Sequence, residues 1–433
     1  MLPALVFRIA RSVDSRLLWK LGWNGGVRAV LSIEKFKRRL RHGQFFPPFL
    51  HLSIINSCNL RCQGCWVDVE APREMIDLDT LNRTIASAKR HGNRVFGILG
   101  GEPFLHPQLF DLLAAHPDCY FQIFTNGQLI TESAAAEMRR LGNATPLISL
   151  EGLEKVSDER RGRKDVFNKS IRGVENCVRA RLFTGVATSL CQSNFEDLLT
   201  ENWLRELIVL GVHYAWYYTY RPVGPSPNYH LALRPDQLIR ARQFIVEMRC
   251  RMPIGILETY YDHRGRSLCP MVTGLSHHVS PRGEIEPCPV LQLARENLRD
   301  GDVFELMTKS EFLSDFRRTA AQAMRGCIVL ERPDLVAELA RKHNARDSTS
   351  RGAVLAELTG MPPGFSQWLP GRETPEKHWL YYLVKRFWFN DFGAYTTEAH
   401  DTKTRADELT QALRGTTERI GDQSRAQPET LSH

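Results

Sequence analysis

Three cysteines lie close together on one short segment, Cys58, Cys62 and Cys65. Three thiolates on one loop can converge on a single metal centre. Iron–sulfur clusters are held by cysteine thiolates, ordinarily four for a 4Fe–4S cube, so three would leave one iron open to an outside ligand. Two other interpretations remain: half of a zinc site, although no second close cysteine pair completes it, or a thioredoxin-like pair, for which a third cysteine is superfluous.

A second candidate segment, Gly100-Gly101-Glu102-Pro103, directly follows the apolar run Val95–Leu99. Glycines let the backbone approach a ligand closely, and Pro103 restricts Glu102 to an extended conformation. The segment is therefore a candidate for ligand binding, and the alternative is an ordinary turn.

Polar residues also follow two later apolar runs. They are Thr125 and Asn126, in the sequence Thr-Asn-Gly, and Ser149 and Glu151, in the sequence Ser-Leu-Glu-Gly. Either sequence alone could be a simple turn, but their order along the chain favours a shared site. Arg221, after the sixth run, could reach a carboxylate or be solvated.

A further group of cysteines lies later in the chain, at Cys269, Cys288 and Cys327. The first two flank a predicted hairpin, whose turn is residues 280–283. These cysteines could hold an auxiliary cluster, completed by Cys250 or by a non-cysteine group, or they could be scattered buried thiols. The remaining cysteines fall in predicted strands or helices and are expected in the core: Cys119, Cys177 and Cys191.

The elements that must position these residues alternate between short apolar runs and helical patterns. The runs are His51–Ile55, Val95–Leu99, Phe121–Phe124, Leu147–Leu150, Gly185–Leu190 and Tyr214–Tyr220. The main helix candidates are Leu78–His91, Glu132–Leu141, Phe167–Ala180, Phe195–Leu210 and Pro235–Arg251. This repetition predicts a parallel α/β sheet, doubly wound or curled into a barrel. In β/α barrels the chemistry lies at the carboxyl ends of the strands, where these motifs fall.

The spacing of Cys58, Cys62 and Cys65 after the first strand resembles the CxxxCxxC signature of the radical S-adenosylmethionine (SAM) superfamily, and residues 100–103 match its GGEP motif. The resemblance implies a partial (β/α)6 TIM-like barrel. It also implies a 4Fe–4S cluster whose open iron binds SAM, and one-electron cleavage of SAM to methionine and a 5′-deoxyadenosyl radical. One departure is Gly64, where many members have an aromatic residue near the adenine of SAM. In this chain Trp66 or the backbone would contact the adenine instead.

The resemblance also assigns cofactor-binding roles. Gly100, Gly101, Glu102 and Pro103 would hold the SAM amino group. Thr125, Asn126, Ser149 and Glu151 would contact its ribose or methionine portion, with Glu151 where the family has Asp. The hairpin with Cys269, Cys288 and Cys327 resembles the SPASM and Twitch extensions, and too few cysteines follow for a complete SPASM domain. We therefore expect a small α+β Twitch-like domain with at most one auxiliary iron–sulfur cluster.

Four regions follow from these patterns. Residues 1–48 form a basic amphipathic segment, 49–222 the core barrel, 223–330 the Twitch-like domain, and 331–433 a helical extension with a disordered tail. The first segment is either an interfacial helix on a membrane surface or a helix that packs on the main domain. The aromatic cluster between Trp379 and Tyr395 has the same two interpretations.

Composition excludes several classes of protein. The chain has 433 residues, 42% of them hydrophobic, and a net charge of +8, without the basic–aromatic motif of a nucleic-acid-binding protein. No apolar run is long enough to span a bilayer. Ten cysteines without a secretion signal favour a reducing compartment, the cytoplasm.

We therefore expect a radical SAM enzyme that abstracts hydrogen from a peptide or other small molecule, supplied with electrons by a reductant such as flavodoxin or ferredoxin. Two alternatives remain. One is an enzyme that modifies a lipid or isoprenoid at the membrane surface, with peripheral membrane contact. The other is a non-catalytic iron–sulfur or zinc-binding scaffold.

Overall fold

Nine strands form one sheet in the computed structural model, which describes residues 2–395. The order is β7-β6-β5-β4-β3-β2-β1-β8-β9. Every neighbouring pair is parallel except β8 and β9, which are antiparallel. The strands are β1 Phe49–Ser53, β2 Val95–Leu99, β3 Tyr120–Thr125, β4 Ala144–Ser149, β5 Gly185–Leu190, β6 Tyr214–Thr219, β7 Gly255–Leu257, β8 His278–Val279 and β9 Ile285–Glu286. A separate pair joins β10 Leu293–Ala294 to β11 Arg346–Asp347.

Seventeen α-helices accompany the strands within residues 2–395. Those before β7 are α1 Leu2–Ser12, α2 Ser15–Lys20, α3 Arg28–Arg41, α4 Leu78–Arg90, α5 Leu109–Ala115, α6 Glu132–Leu141, α7 Glu154–Arg161, α8 Val166–Arg179, α9 Phe195–Leu198, α10 Glu201–Val209 and α11 Pro235–Arg251. The later ones are α12 Val303–Lys309, α13 Glu311–Ala323, α14 Ile328–Glu331, α15 Pro333–Lys342, α16 Val354–Gly360 and α17 Trp379–Phe387. A π-helical segment, Leu21–Val27, connects α2 to α3.

The expected α/β architecture with a parallel sheet is confirmed, and all six predicted runs are strands of that sheet. One helix prediction was wrong in detail: Phe195–Leu210 is two helices, α9 and α10. The helix restarts because the Thr200 hydroxyl accepts a hydrogen bond from the Trp203 amide at 3.1 Å, which caps α10. The tail predicted to be disordered lies outside the described residues.

The predicted hairpin is also present, with Gly283 at a φ of +82° in its turn. Its first strand, β8, pairs with the outer edge of β1, so that His51 lies opposite His278. The Twitch-like region therefore contributes strands to the main sheet. The boundaries of the four regions stay a prediction.

The inner face of the curled sheet carries a group of aromatic side chains. Phe124, Trp216 and Tyr218 have ring centroids 5.1–6.2 Å apart, and His51 lies 6.2 Å from Phe124. These four side chains are half-buried although they lie on central strands. At the amino-terminal end, the Tyr214 hydroxyl contacts Gln122 at 3.2 Å and Thr145 at 3.4 Å and closes the interior. We call the interior that these side chains line the lumen; Tyr214 lies at its amino-terminal end, and its other end faces the carboxyl ends of the strands.

The N-terminal helices lie against the opposite end, at the segments that enter the strands. Arg8 donates hydrogen bonds to the Val212 and Pro253 carbonyls, just before β6 and β7. Arg28 donates to the Asp118 carbonyl before β3, and Arg39 to the His91 carbonyl before β2. The expectation that this segment packs on the main domain is confirmed. No helix among residues 2–395 is both long and apolar enough to cross a bilayer.

Candidate active site

The loop after β1 carries Cys58, Cys62 and Cys65 and is held at its start by Asn56. The Asn56 side chain donates to the Pro72 carbonyl and accepts from the Glu74 amide, both at 2.8 Å. Near its end, Gly64 has a φ of +64°, and a side chain at this position would collide with the Tyr220 hydroxyl. This contact gives a local reason for glycine where the related signature often has an aromatic residue.

Burial raises the pKa of Cys58 to about 11 and that of Cys65 to about 12. Two donors already point at the sulfurs, which would stabilise them as thiolates. The Leu60 amide lies 3.4 Å from Cys58 Sγ, and Arg161 Nη1 lies 3.4 Å from Cys62 Sγ. Metal binding at such a site must displace protons, with the metal's own charge compensating the thiolates.

The GGEP segment fixes the cluster loop from one side. The amides of Gly101 and Glu102 donate to the carbonyls of Ile55 and Ser57, at 2.7 Å and 2.9 Å. A side chain at Gly100 or Gly101 would collide with this backbone, so both positions require glycine. The two segments therefore pack backbone against backbone.

Glu102 is fully buried and connects the GGEP segment to the end of β3. Its carboxylate accepts hydrogen bonds from the Thr125 hydroxyl at 2.7 Å, from the Asn126 amide at 2.8 Å and from the Phe104 amide at 3.2 Å. Burial raises its pKa, against the effect of these donors. The side chain thus serves as an internal brace between two of the predicted cofactor-binding segments.

Asn126 extends this brace to the cysteine loop. Its side-chain amide donates to Asn59 Oδ1 at 2.7 Å and lies 3.9 Å from Cys58 Sγ. Asn59 in turn donates to Gln128 Oε1 at 3.2 Å. Thr125 and Asn126 therefore lie beside the first thiol group.

Glu151 orients Arg161 toward Cys62. Its carboxylate accepts from Arg161 Nη2 at 2.8 Å and from the Ser189 amide at 3.1 Å. Burial opposes the charged form of Arg161, but the adjacent Cys62 and Glu151 outweigh it and raise the pKa of Arg161. Ser149 ends β4 nearby and is half-buried. Arg161 was not among the predicted site residues; it ends the polar helix α7, whose composition gives no signal of a buried role.

The later cysteines also come together. Burial raises the pKa of Cys269 to about 11, and the nearby Cys327 raises it further. Burial, with Cys327 and Cys269, likewise raises the pKa of Cys288. Cys250 is exposed on α11 and is not among the groups acting on these thiols.

Arg221 serves this second thiol group. Its Nε lies 3.2 Å from Cys327 Sγ, and its Nη1 donates to the Tyr260 hydroxyl at 2.9 Å. The side chain is half-buried, and its hydrogen bonds are to groups of the protein itself. The three cysteines expected in the core are buried there: Cys119, Cys177 and Cys191.

Among residues 2–395, no group of three or more His, Cys, Asp or Glu side chains is arranged to hold a single metal ion. A 4Fe–4S cube makes a different demand, because each cysteine binds a separate iron at its own corner. Both thiol groups have the donor set for such a cube: three sulfurs on surrounding loops and one arginine that balances thiolate charge.

Comparison with known proteins matches residues 52–200 to the Radical SAM superfamily model. The chain is 27% identical over 156 residues to Fe-coproporphyrin III synthase of Methanosarcina barkeri, a match that covers 35% of this chain and 39% of that protein. It is 26% identical over 336 residues to AdoMet-dependent heme synthase of Oleidesulfovibrio alaskensis, covering 67% and 82%.

Among solved structures, Streptococcus suis SuiB bound to precursor peptide SuiA superposes with a TM-score of 0.56 at 17% identity. The superposition covers 66% of this chain and 70% of SuiB. At this identity the likeness is one of fold.

Proposed function

We propose that this chain, whose residues 52–200 match the Radical SAM superfamily model, is an enzyme that cleaves SAM reductively and uses the resulting radical to abstract hydrogen from a peptide or other small molecule. The observation that carries the proposal is the bracing of the Cys58–Cys65 loop by the GGEP segment and by the Glu102 carboxylate. When bound, a reduced 4Fe–4S cluster would supply the electron that breaks the S–C5′ bond of SAM.

The residues of this chain have distinct parts in the proposal. Cys58, Cys62 and Cys65 would hold the cluster, and Arg161, oriented by Glu151, would balance its thiolates. The backbone of residues 100–103 would bind the SAM amino group. The Glu102 side chain would position that backbone instead of contacting SAM, because its carboxylate already accepts three hydrogen bonds from within the protein.

The second thiol group would hold an auxiliary 4Fe–4S cluster through Cys269, Cys288 and Cys327. Arg221 leaves the end of β6 and contacts Cys327, so this cluster would lie at the same end of the barrel as the first. Because no fourth cysteine acts on these thiols, one iron would be open to substrate or to a non-cysteine ligand.

The lumen would bind the substrate. The aromatic rings of Phe124, Trp216 and Tyr218 favour a substrate with an apolar or planar section. Trp216 Nε1 and His51 Nδ1 are buried and have no hydrogen-bond partner among the described residues. An unmade hydrogen bond costs about 1–3 kcal/mol, so a substrate with polar groups at these two positions would bind preferentially. Burial lowers the pKa of His51 to about 4, which keeps the ring neutral.

The names of the similar proteins point to both substrate classes. A heme synthase acts on a small molecule, and SuiB is seen with a peptide. We propose a flavodoxin or ferredoxin as reductant and the cytoplasm as location, in keeping with ten cysteines that form no disulfide.

The test is iron and sulfide content with EPR on anaerobically reconstituted protein, followed by a 5′-deoxyadenosine assay with dithionite and SAM. We expect about eight irons per chain, falling to about four in the Cys58/Cys62/Cys65→Ala variant, from four irons per cube. About four irons in the wild type and none in the variant would contradict the auxiliary cluster alone. Bound zinc without iron, or iron without 5′-deoxyadenosine, would leave only the scaffold interpretation.

A further inference from the structure

The positive charge of this chain is concentrated at its beginning. Residues 1–48 contain ten Lys and Arg against Asp14 and Glu34, a net charge of +8. The whole chain also has a net charge of +8, so the remaining residues balance one another. Exposed cations of this segment include Lys35, Arg38 and Arg41. A local excess of this kind attracts anionic surfaces.

The same segment exposes a row of apolar side chains on its outer side. Trp19, Trp23, Val27 and Leu31 recur every fourth residue, with 69%, 44%, 45% and 55% of their surface exposed. The two tryptophan rings stack nearly parallel, with centroids 6.1 Å apart. The inner side of the helices is buried at Leu17, Ile33 and Phe36, so packing on the sheet does not account for the outer row.

Helix α17 carries a second row with the same spacing: Trp379, Leu383 and Phe387 are 59%, 38% and 46% exposed. This helix also lies near the amino-terminal ends of the strands. Tyr381 accepts a hydrogen bond from the Ile256 amide in β7 at 2.9 Å, and the Phe389 ring stacks on Phe49, the first residue of β1. Of the fourteen large apolar residues exposed among residues 2–395, nine belong to α1–α3 with their π-helical segment and to α17.

We propose that this end of the molecule, termed here the basal face, docks on an anionic lipid bilayer. Aromatic and aliphatic side chains on a basic helix enter the headgroup region, with the cations at the lipid phosphates. Tryptophan is enriched at that depth. A second copy of this chain is a poorer occupant, because two segments of net charge +8 would repel each other.

The geometry fixes the orientation of the bound protein. The thiol groups and the end of the lumen opposite Tyr214 lie at the carboxyl ends of the strands, whereas the basal face lies at their amino-terminal ends. That end of the lumen therefore faces away from the bilayer. Docking of this kind tethers the enzyme and does not by itself imply that its substrate is a lipid.

The test is co-sedimentation of the full chain with vesicles of phosphatidylcholine alone or mixed with phosphatidylglycerol. We expect binding to the mixed vesicles that weakens as salt is added. The Trp19→Ala/Trp23→Ala variant should bind at least about tenfold more weakly, because it buries less apolar surface in the bilayer. Arg38→Gln/Arg41→Gln should lose about fivefold for each charge.

The matched control is Phe365→Ala, because Phe365 is exposed to the same 44% as Trp23 but lies on a loop whose Gly364 bonds to Leu330 of α14. It should bind like the wild type, and all variants should keep the wild-type melting temperature and 5′-deoxyadenosine formation. The proposal is overturned if the wild type fails to bind mixed vesicles or if the tryptophan variant binds equally well. It is also overturned if light scattering shows a dimer that this variant separates, without vesicle binding.

Discussion

Replacement of Glu102 separates a bracing role from direct contact with SAM. The carboxylate is fully buried and accepts three hydrogen bonds, from Thr125, Asn126 and Phe104. Glu102→Ala would leave these donors facing a cavity, at about 1–3 kcal/mol for each unsatisfied group, partly relieved by relaxation. We expect the free energy of unfolding to fall by about 3–5 kcal/mol.

Glu102→Gln should behave differently. The amide oxygen can still accept from the Asn126 amide, and the amide nitrogen can donate to the Thr125 hydroxyl. The Phe104 amide, which donates to the same carboxylate oxygen as Thr125, then loses its acceptor. Each bond weakens by about 1 kcal/mol when the charge is lost. Burial of that charge was itself unfavourable, as the raised pKa of Glu102 indicates. These two effects oppose each other, whereas the unpaired Phe104 amide costs about 1–3 kcal/mol. We therefore expect a net fall of about 1–3 kcal/mol, smaller than that of Glu102→Ala.

The assays are urea unfolding of the iron-free protein, iron content after reconstitution, and the KM for SAM in 5′-deoxyadenosine formation. The Gln variant should match the wild type in iron content and in KM for SAM and lose only part of the stability that the Ala variant loses, whereas the Ala variant should lose stability and iron together. A Gln variant that folds and binds iron normally but has a KM for SAM raised tenfold or more would refute the bracing role. It would show that the carboxylate contacts SAM.

Three further predictions concern the two cluster loops and one buried histidine. Gly64→Ala should lower the iron content of the first site, because φ is +64° and the new methyl group meets the Tyr220 hydroxyl; adding Tyr220→Phe should restore part of it. Arg221→Gln should lower the iron content of the Cys58/Cys62/Cys65→Ala variant below its four-iron value, because Arg221 contacts Cys327; introduced into the wild-type chain, it should leave the first cluster's EPR signal intact. Burial lowers the pKa of His277 to about 3 from 6.5, so the unfolded chain binds a proton first as the pH falls below about 6.5. The free energy of unfolding contributed by this site should drop by about 2 kcal/mol between pH 7 and pH 5, at 1.36 kcal/mol per unit. Between pH 7 and pH 5 the urea midpoint of His277→Leu should fall less steeply than that of the wild type. An equal slope would show that His277 does not cause this pH dependence.

Local patterns were sufficient to predict the strands and the first thiol group. Strands Val95–Leu99 and Gly185–Leu190 have the predicted bounds, since each is a short apolar run bounded by turns. The order of motifs after successive strands placed Cys58, Gly101 and Asn126 together, because the carboxyl ends of parallel strands meet at one edge.

Contacts between distant segments could not be predicted in this way. The pairing of β8 with β1 joins residues such as Ser53 and His278, which are 225 positions apart, and no local pattern specifies it. The partner of Arg221 likewise depends on where α14 places Cys327. The exposed row from Trp19 to Leu31 was not separable by spacing from a packed helix, since both sides of the segment carry apolar residues.

The positions of the contacting residues along the chain set the order in which the two proposed cluster sites can form during synthesis. The hydrogen bonds to the sulfurs of the first thiol group all come from residues up to Arg161, whereas the second group waits for Cys327. At about 5–20 residues per second, the interval is roughly 10–30 seconds. Until β8, His278–Val279, has been made, the edge of β1 is uncovered, and exposed edges invite pairing with other chains. Iron delivered to the first loop would therefore reach a nascent chain whose sheet is still incomplete on one side.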